Sequence, residues 1–210
     1  MNRTITVTGT ASAKAAPDLV TLTLGVETRR DTAAKAYSDA GAAVAAVTAS
    51  LREGGIRDAD LRTSGLNLRA ELVWVEGQGQ KVTAYAATTE LLVGVRSRAD
   101  APSVIAAAVA AGGDNLRING IVQGFADPSG LSRQAQEAAW ADARERAGHY
   151  ASLAGVRLGQ VVSISQQPVG LAPIPAGGLV RAFAAEALPV EAGESSVTAS
   201  VTVEWELLAP

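Results

Sequence analysis

The sequence predicts an α+β protein with the element order ββαββαβαββ. Several segments alternate apolar and polar residues with a period of two, which is typical of strands that bury one face. Three other segments repeat small apolar residues every three or four positions, as amphipathic helices do. Because the strands do not alternate strictly with helices, we expect a largely antiparallel sheet with helices packed on its faces.

The first two strands lie within residues 4–28. In the first, Ile5, Val7 and Gly9 share one face. The Pro17-Asp18 step opens the second, whose shared face consists of Val20, Leu22, Leu24 and Val26. Two such strands in succession indicate a hairpin or another adjacent pair.

The first helix follows the second strand directly. Asp31 or Thr32 can cap its start, and Gly54-Gly55 ends it as a left-handed C-terminal cap would. The residues of its core stripe recur at helical spacing, and they are Ala36, Ala40, Val44, Val47 and Leu51. This stripe predicts one helix face buried against a sheet.

Two long strands and a short helix make up the middle of the chain. The strands cover about 61–76 and 80–96, and the glycines in 77–79 supply the positive backbone angles of a hairpin turn. A helix is predicted over 101–111, because a proline lies in its first turn and two glycines follow its end. The fifth strand covers about 117–126.

The last third of the chain predicts a long helix and two strands. The helix runs over about 129–154, and its stripe of mostly small residues consists of Ala139, Ala143, Ala147, Tyr150 and Ala154. Gly155 ends it, and a strand follows at about 161–166. The final strand alternates strictly, with one face made of Val197, Ala199, Val201, Val203, Trp205 and Leu207.

Composition excludes several kinds of site and partner. The 210 residues include no cysteine, which excludes disulfides, thiolate catalysis and Cys-ligated metal. A net charge of −3 with interspersed signs gives no basic surface for nucleic acid. No apolar run reaches the ~18 residues of a membrane-spanning helix. The first strand begins near residue 3, so the chain as written predicts cytoplasmic residence, or periplasmic or exported residence if a leader was removed.

Candidate catalytic groups are few, and each has a structural interpretation. His149 is the only histidine, and with Glu145 one turn earlier it is interpreted as part of a solvated helix face. Glu204 and Glu206 lie on the expected solvent face of the last strand, so they are not expected to form an acid/base pair. The dispersed tryptophans are expected to pack at domain or subunit contacts: Trp74, Trp140 and Trp205. We therefore expect no catalytic, cofactor-binding or metal-binding residues, and no enzyme.

One segment shows neither helix nor strand spacing. Residues 168–193 contain four of the eight prolines together with many apolar residues. Connections of this length are uncommon unless they are functional or disordered, and disordered segments are usually polar. The alternatives are a loop packed over its own domain, an arm that contacts another subunit, and disorder. For the arm, the candidate contacts are Leu171, Ile174, Leu179, Val180, Phe183 and Leu188.

Short sequence pieces in a fixed order run through almost the whole chain. They begin with the opening strand around Gly9, the Pro17-Asp18 step and Gly25-Val26-Glu27. The later pieces are Gly55-Ile56, 60–64, the Tyr85 strand ending in Val93-Gly94-Val95-Arg96, Ile118-Asn119-Gly120-Ile121, Ala141-Asp142-Ala143-Arg144, and Ala154-Gly155-Val156 with Leu158-Gly159. Together these pieces resemble the SIMPL-domain (DUF541) family. Ala84 stands where that family commonly has a glycine before the tyrosine.

The resemblance implies a role as well as a fold. Members of this bacterial family include oxidative-stress-associated and periplasmic or outer-membrane immunogenic proteins, and they assemble into large rings. No clear linker divides the chain and no sequence repeat is visible, so we expect a single SIMPL-like domain over 1–210. The resemblance includes no known catalytic residue among its matching positions. It also implies a non-enzymatic homo-oligomer with a structural or stress-protection role. The alternative is a binding module for a small molecule or a partner protein, which a pocket with converging polar groups would favour.

We predict that the apolar segment 168–193 holds the homo-oligomer together. Burying each of its large apolar side chains fully contributes roughly 1.5–3 kcal/mol, and contiguous exposed apolar patches mark contact sites. Replacing residues 171–187 by a short Gly-Ser bridge should give a soluble, folded monomer or dimer, as measured by light scattering or native mass spectrometry. An oligomer of unchanged size would show that the segment packs only on its own subunit.

Overall fold

A computed structural model describes residues 3–166, 170–171 and 193–210, with the backbone alone given at 170–171. In chain order the elements are β1 (Thr4–Ala15), β2 (Leu19–Arg30), α1 (Ala33–Glu53), β3 (Leu61–Val75), β4 (Gly79–Val95), α2 (Ala101–Gly112), β5 (Leu116–Gly124), α3 (Ser129–Leu153), β6 (Arg157–Gln166), β7 (Gly170–Leu171) and β8 (Ser195–Leu208). All strand pairs described are antiparallel. The α+β class is confirmed, and the observed order differs from the predicted one by the two-residue β7.

The described residues form two compact units. The first contains β1, α3, β6, β7 and β8, and its strands follow the order β1-β8-β6, with β7 also paired to β8. The second unit covers residues 18–126, and its strands follow the order β3-β4-β2-β5. A single SIMPL-like domain over 1–210 stays a prediction.

Small side chains let α3 lie close to the sheet of the first unit. The helix buries only alanines: Ala135, Ala139, Ala143, Ala147 and Ala151. A Cβ on Gly9 of β1 would overlap the carbonyl oxygen of Ala139 and the amide nitrogen of Ala143. Beside this contact, Asp142 accepts hydrogen bonds from the Thr10 amide and from Arg146 Nε, each at 2.9 Å. The sequence pieces around Gly9 and Asp142 therefore meet, and they serve helix–strand packing.

Two positions of the predicted α3 stripe are wrong. Tyr150 is 56% exposed, and Ala154 lies exposed beyond the helix end. The buried alanines recur every fourth residue as far as Ala151, which faces the sheet in place of Tyr150. On the exposed side of the helix an i,i+4 ion pair joins Asp142 to Arg146.

The second unit buries one face of its sheet under α1 and α2. Thr32 caps α1 by accepting a hydrogen bond from the Lys35 amide at 3.3 Å. Of the predicted α1 stripe, Val44 is only partly buried, and the other four residues are buried. The sheet side of the core comes from alternating residues of β2 and β4: Val20, Leu22, Leu24, Val26, Leu91, Val93 and Val95.

The expected pairing of the first two strands is wrong. β1 pairs with β8 along its whole length, from Thr4↔Glu206 to Ala15↔Ser195, whereas β2 pairs with β4 and β5. A period-two pattern specifies which face of a strand is buried but does not specify its neighbour.

The sixth strand begins earlier than the sequence indicated. β6 starts at Arg157, and its pairing with β8 shifts register between Leu158 and Val161. A Cβ on Gly159 would lie 2.9 Å from the Glu206 Cβ, so the strands are packed too closely there for a larger residue. The register shifts interrupt the alternation on which the prediction relied.

The predicted oligomer contacts fall mostly outside the described residues. This applies to Ile174, Leu179, Val180, Phe183 and Leu188. Leu171 is described by its backbone alone, which pairs with Val197. The role of these six residues stays a prediction.

Candidate functional site

A cleft of about 340 Å³ lies on the sheet of the second unit, on the face opposite the helices. The face follows from alternation, because Glu90 is exposed between the buried Thr89 and Leu91. The cleft is lined by Gly25, Val26, Glu27, Ser64, Gly65, Leu66, Asn67, Thr88, Thr89, Glu90, Arg117 and Asn119. A polar depression in the middle of a sheet requires an irregularity in the strands, and two bulges supply it.

The first bulge lies in β3 at Gly65. Ser64 pairs with Glu90 and Leu66 with Thr89, which leaves Gly65 as the extra residue. Its φ of +73° is in the left-handed region that favours glycine. The buried Thr89 hydroxyl donates a 2.7 Å hydrogen bond to the Gly65 carbonyl oxygen and fixes the bulge.

The second bulge lies in β5, on the other side of the cleft. Thr23 pairs with Gly120 and Leu24 with Ile118, so Asn119 is the extra residue. Its Nδ2 donates a 3.0 Å hydrogen bond to Glu90 Oε1. This bond passes over Gly25, where a Cβ would come within 2.8 Å of the same Nδ2. The cleft floor therefore depends on a glycine at position 25.

The charged groups of the cleft are incompletely paired within the described residues. Glu27 Oε1 lies 4.0 Å from Arg69 Nη2, and its side chain is 38% exposed. Arg117 Nη1 donates to the main-chain carbonyls of Asp114 and Leu116, at 2.7 and 2.8 Å, and forms no ion pair with either cleft carboxylate in this part of the chain. Two carboxylates thus face the cleft, and in the described part of the chain their one ion pair is the 4.0 Å contact of Glu27 with Arg69.

The cleft is suited to binding rather than to nucleophilic chemistry. Its hydroxyls are those of Ser64, Thr88 and Thr89, and the hydrogen bond described for them is the one from Thr89 to a carbonyl. A nucleophilic hydroxyl requires an adjacent general base. Among the described residues no hydrogen bond joins a cleft hydroxyl to a carboxylate or an imidazole.

A second polar cluster lies where the short 3-10 turn before β3 meets the end of β4. The Asp60 carboxylate accepts hydrogen bonds from Arg96 Nε at 3.1 Å, from Arg96 Nη2 at 3.0 Å and from Arg57 Nε at 2.7 Å. Its side chain is 11% exposed. The hydrogen bonds from Arg96, followed by those from Arg57, lower the pKa of Asp60 to about 2. The cluster joins the sequence pieces at 60–64 and 93–96, and it has the character of a structural clamp.

The residues singled out from the sequence do not converge on a site. His149 is exposed, its ring lies beside that of Tyr150 with centroids 6.0 Å apart, and no ion pair joins it to Glu145 in the described part of the chain. Glu204 accepts a 3.1 Å hydrogen bond from the Ser163 hydroxyl, on the strand face opposite the buried Trp205.

The tryptophans divide into two groups. Trp205 is buried in the first unit, with the Trp140 ring centroid 6.0 Å away. Trp74 is 73% exposed on β3, and its expected place at a domain or subunit contact stays a prediction. Within residues 3–166 and 193–210 no three potential ligands of His, Asp or Glu type are grouped to hold a metal ion. No helix in these ranges is long and apolar enough to cross a membrane.

Sequence reasoning missed the cleft as a site. Gly25-Val26-Glu27 and Asn119 were noted only as pieces of the family resemblance, and Glu90 and Asn67 were not noted at all. The sequence feature that could have indicated the cleft is Gly65, because an isolated glycine within a strand often marks a bulge.

Comparisons with known proteins agree on one family. Residues 5–205 match the SIMPL family, described as "Protein of unknown function (DUF541)". The 26 kDa periplasmic immunogenic protein of Brucella melitensis is 32% identical over 216 aligned residues, which cover 97% of this chain and 84% of that protein. The uncharacterized protein YggE of Escherichia coli K12 is 28% identical over 197 residues, which cover 94% of this chain and 78% of YggE. These matches confirm the resemblance that the sequence pieces indicated, and neither name states an activity.

We predict that Asp60→Asn removes a pH-dependent part of the stability. The pKa of Asp60 is about 2 in the folded chain, below its ordinary 3.8. The ionised carboxylate therefore stabilises the fold above about pH 4, and this contribution is lost as the pH falls toward 2. The variant should have a free energy of unfolding about 1 kcal/mol lower at pH 7, and its difference from the wild type should vanish near pH 2, as measured by urea titration.

The matched control is Asp58→Asn. Asp58 is 79% exposed, and among the described residues its side chain is paired with Arg52, so its loss should change stability by less than ~0.5 kcal/mol. A constant difference between Asp60→Asn and the wild type from pH 7 to pH 2 would contradict the clamp.

Proposed function

Because the chain belongs to the SIMPL (DUF541) family, we propose that it is a non-enzymatic homo-oligomer of the bacterial envelope with a structural or stress-protection role. The names of its relatives state no catalytic activity, and the cleft lacks an activated nucleophile among the described residues. The observation that carries the assembly proposal is that, among the described residues, no further strand pairs with either edge of the sheet of the second unit.

Both edge strands of this sheet expose large apolar side chains. On β3 the exposed fractions are 60% for Leu66 and 44% for Leu68. On β5 they are 42% for Ile118 and 40% for Ile121. Monomeric proteins usually protect open edges, since an unpaired edge can pair with another chain.

The apolar side chains of the two edges lie on the same face of the sheet. Leu66 and Leu68 pair with Thr89 and Ala87, which point into the core. Ile118 and Ile121 likewise pair with the buried residues Leu24 and Leu22. If β3 of one copy paired with β5 of the next, leucines and isoleucines would become neighbours on one continuous face.

This pairing joins unlike surfaces, so it is heterologous, and repeated heterologous contacts with a fixed rotation close into a ring. Trp74, which is exposed further along β3, would add to the contact. The segment 168–193 is a second proposed contact between copies, and we propose that assembly needs both contacts. The deletion of 171–187 and the edge variants below distinguish the contributions of the two.

We predict that Leu68→Glu and Ile118→Glu each prevent assembly. Each places a charge on one edge and leaves the other edge intact, so native mass spectrometry should show monomers of either variant. Mixed in equal amounts, the two variants should form a one-to-one dimer, because each supplies the edge that the other lacks. Leu153→Glu, at a position on α3 that is 71% exposed, is the matched control and should keep the wild-type mass.

Two results would contradict edge pairing. Full-size assemblies of both variants would show that these edges do not hold the copies together. A mixture that stayed monomeric would show that β3 and β5 are not partners of each other.

Residence in the periplasm is the second part of the proposal. It is supported by the Brucella relative, whose name places that protein there, whereas no relative supports the cytoplasmic prediction. Fractionating the native host should release the protein with the periplasmic contents, and recovery with cytoplasmic markers alone would contradict this.

The second candidate function is a binding module. It is favoured by the cleft, because polar groups from all four strands converge there.

A further inference from the structure

We propose that the cleft on the second unit binds small organic cations that carry two ammonium or guanidinium groups on a short aliphatic chain. This inference does not depend on oligomerisation. It rests on the positions of two carboxylates, on their incomplete pairing and on the way both bulges open the sheet between them.

The two carboxylates lie diagonally across neighbouring strands. Glu90 pairs with Gly25, and Glu27 is two residues further along the same strand, opposite Thr88. Diagonal neighbours on one face of an antiparallel pair lie about 7–8 Å apart, and their Cβ atoms are somewhat closer. Gly25 carries no side chain, so beside Glu90 the Asn119 amide is the group that lies over this part of β2.

Within the described residues, the protein's own cations satisfy these carboxylates poorly. Glu27 has Arg69 at 4.0 Å, which is the limit of an ion pair. Glu90 accepts one hydrogen bond from the neutral Asn119 amide. Arg117 is held by main-chain carbonyls instead. A bound dication would supply both missing partners at once.

The remaining lining suits the same ligand. The amide oxygens of Asn67 and Asn119 and the hydroxyls of Ser64 and Thr88 can accept hydrogen bonds from ammonium groups. The volume of about 340 Å³ lies at the small end of the range for small-molecule sites.

A metal ion fits the cleft less well. Calcium takes six to eight oxygen ligands, several of them carboxylates, and the described residues contain no group of three potential acidic or histidine ligands. The geometry therefore favours an organic cation whose charges are separated.

The test is isothermal titration calorimetry on the full chain at low ionic strength with 1,4-diaminobutane as the probe. We expect one site per chain, weaker binding of butylamine and no binding of succinate. Glu27→Gln and Glu90→Gln should each weaken diamine binding about fivefold. Each substitution keeps an oxygen acceptor, so the hydrogen bond from Asn119 to position 90 can persist and the fold is retained.

Two further variants separate a site from general charge attraction. Gly25→Ala keeps every charge but places a methyl group against the Asn119 amide that is bonded to Glu90, so it should weaken binding at least as much. Glu137→Gln removes one exposed carboxylate from α3 in the first unit and should leave binding unchanged.

The proposal is overturned if the wild type does not bind the diamine, or if Glu137→Gln weakens binding as much as the cleft variants do. It is also overturned if Glu27→Gln and Glu90→Gln bind like the wild type. Native masses of the cleft variants should equal that of the wild type, and Leu68→Glu should still bind the diamine. Failure of the cleft and failure of the assembly are therefore distinguishable.

Discussion

The uninterrupted pairing of β2 with β4 is the constraint on which the second unit depends. These strands run from Val20↔Val95 to Arg30↔Tyr85 without a register shift, while the pairings of β3 and β5 with them are both bulged. A regular central pair fixes every alternating side chain to one face. It therefore buries Leu22, Leu24 and Val93 and holds Glu27 and Glu90 on the other face. The bulges in β3 and β5 can change the shape of the sheet edges because the register between β2 and β4 is constant.

The first unit relies on a different constraint, the closeness of α3 to the sheet. Alanine and glycine at this interface bury little apolar area per residue, so stability there comes from dense contact. The Asp142 hydrogen bond to the Thr10 amide fixes the helix along the strand. The family resemblance thus rests largely on packing positions, and such positions indicate a fold more directly than an activity.

The sequence predicted the elements well because their signals are local. Thr32, the helix-ending glycines and the alternating strands each act within a few residues, and the structure confirms them. Strand partners and bulges depend on residues distant in sequence. The cleft needed Gly25, Gly65, Glu90 and Asn119 to meet from four strands, and no spacing along the chain indicates that. Tyr150 was wrongly predicted to be buried because it fits the helical spacing of the α3 stripe. Local spacing alone does not show which side chains of the helix the sheet covers.

The open edges of the second unit have a consequence for how the protein reaches its final state. In the described part of the chain the outer side of β3 has no neighbouring strand, so a newly folded copy presents this edge to any other exposed strand that it meets. Arg62, Arg69 and Glu71 put charges along that edge, as gatekeeper residues do in natural edge strands. Charge on one sheet face and leucine on the other make the edge selective, because only a strand that matches both faces gains from pairing. The same arrangement of charged and apolar residues on β3 would then both promote assembly and limit aggregation.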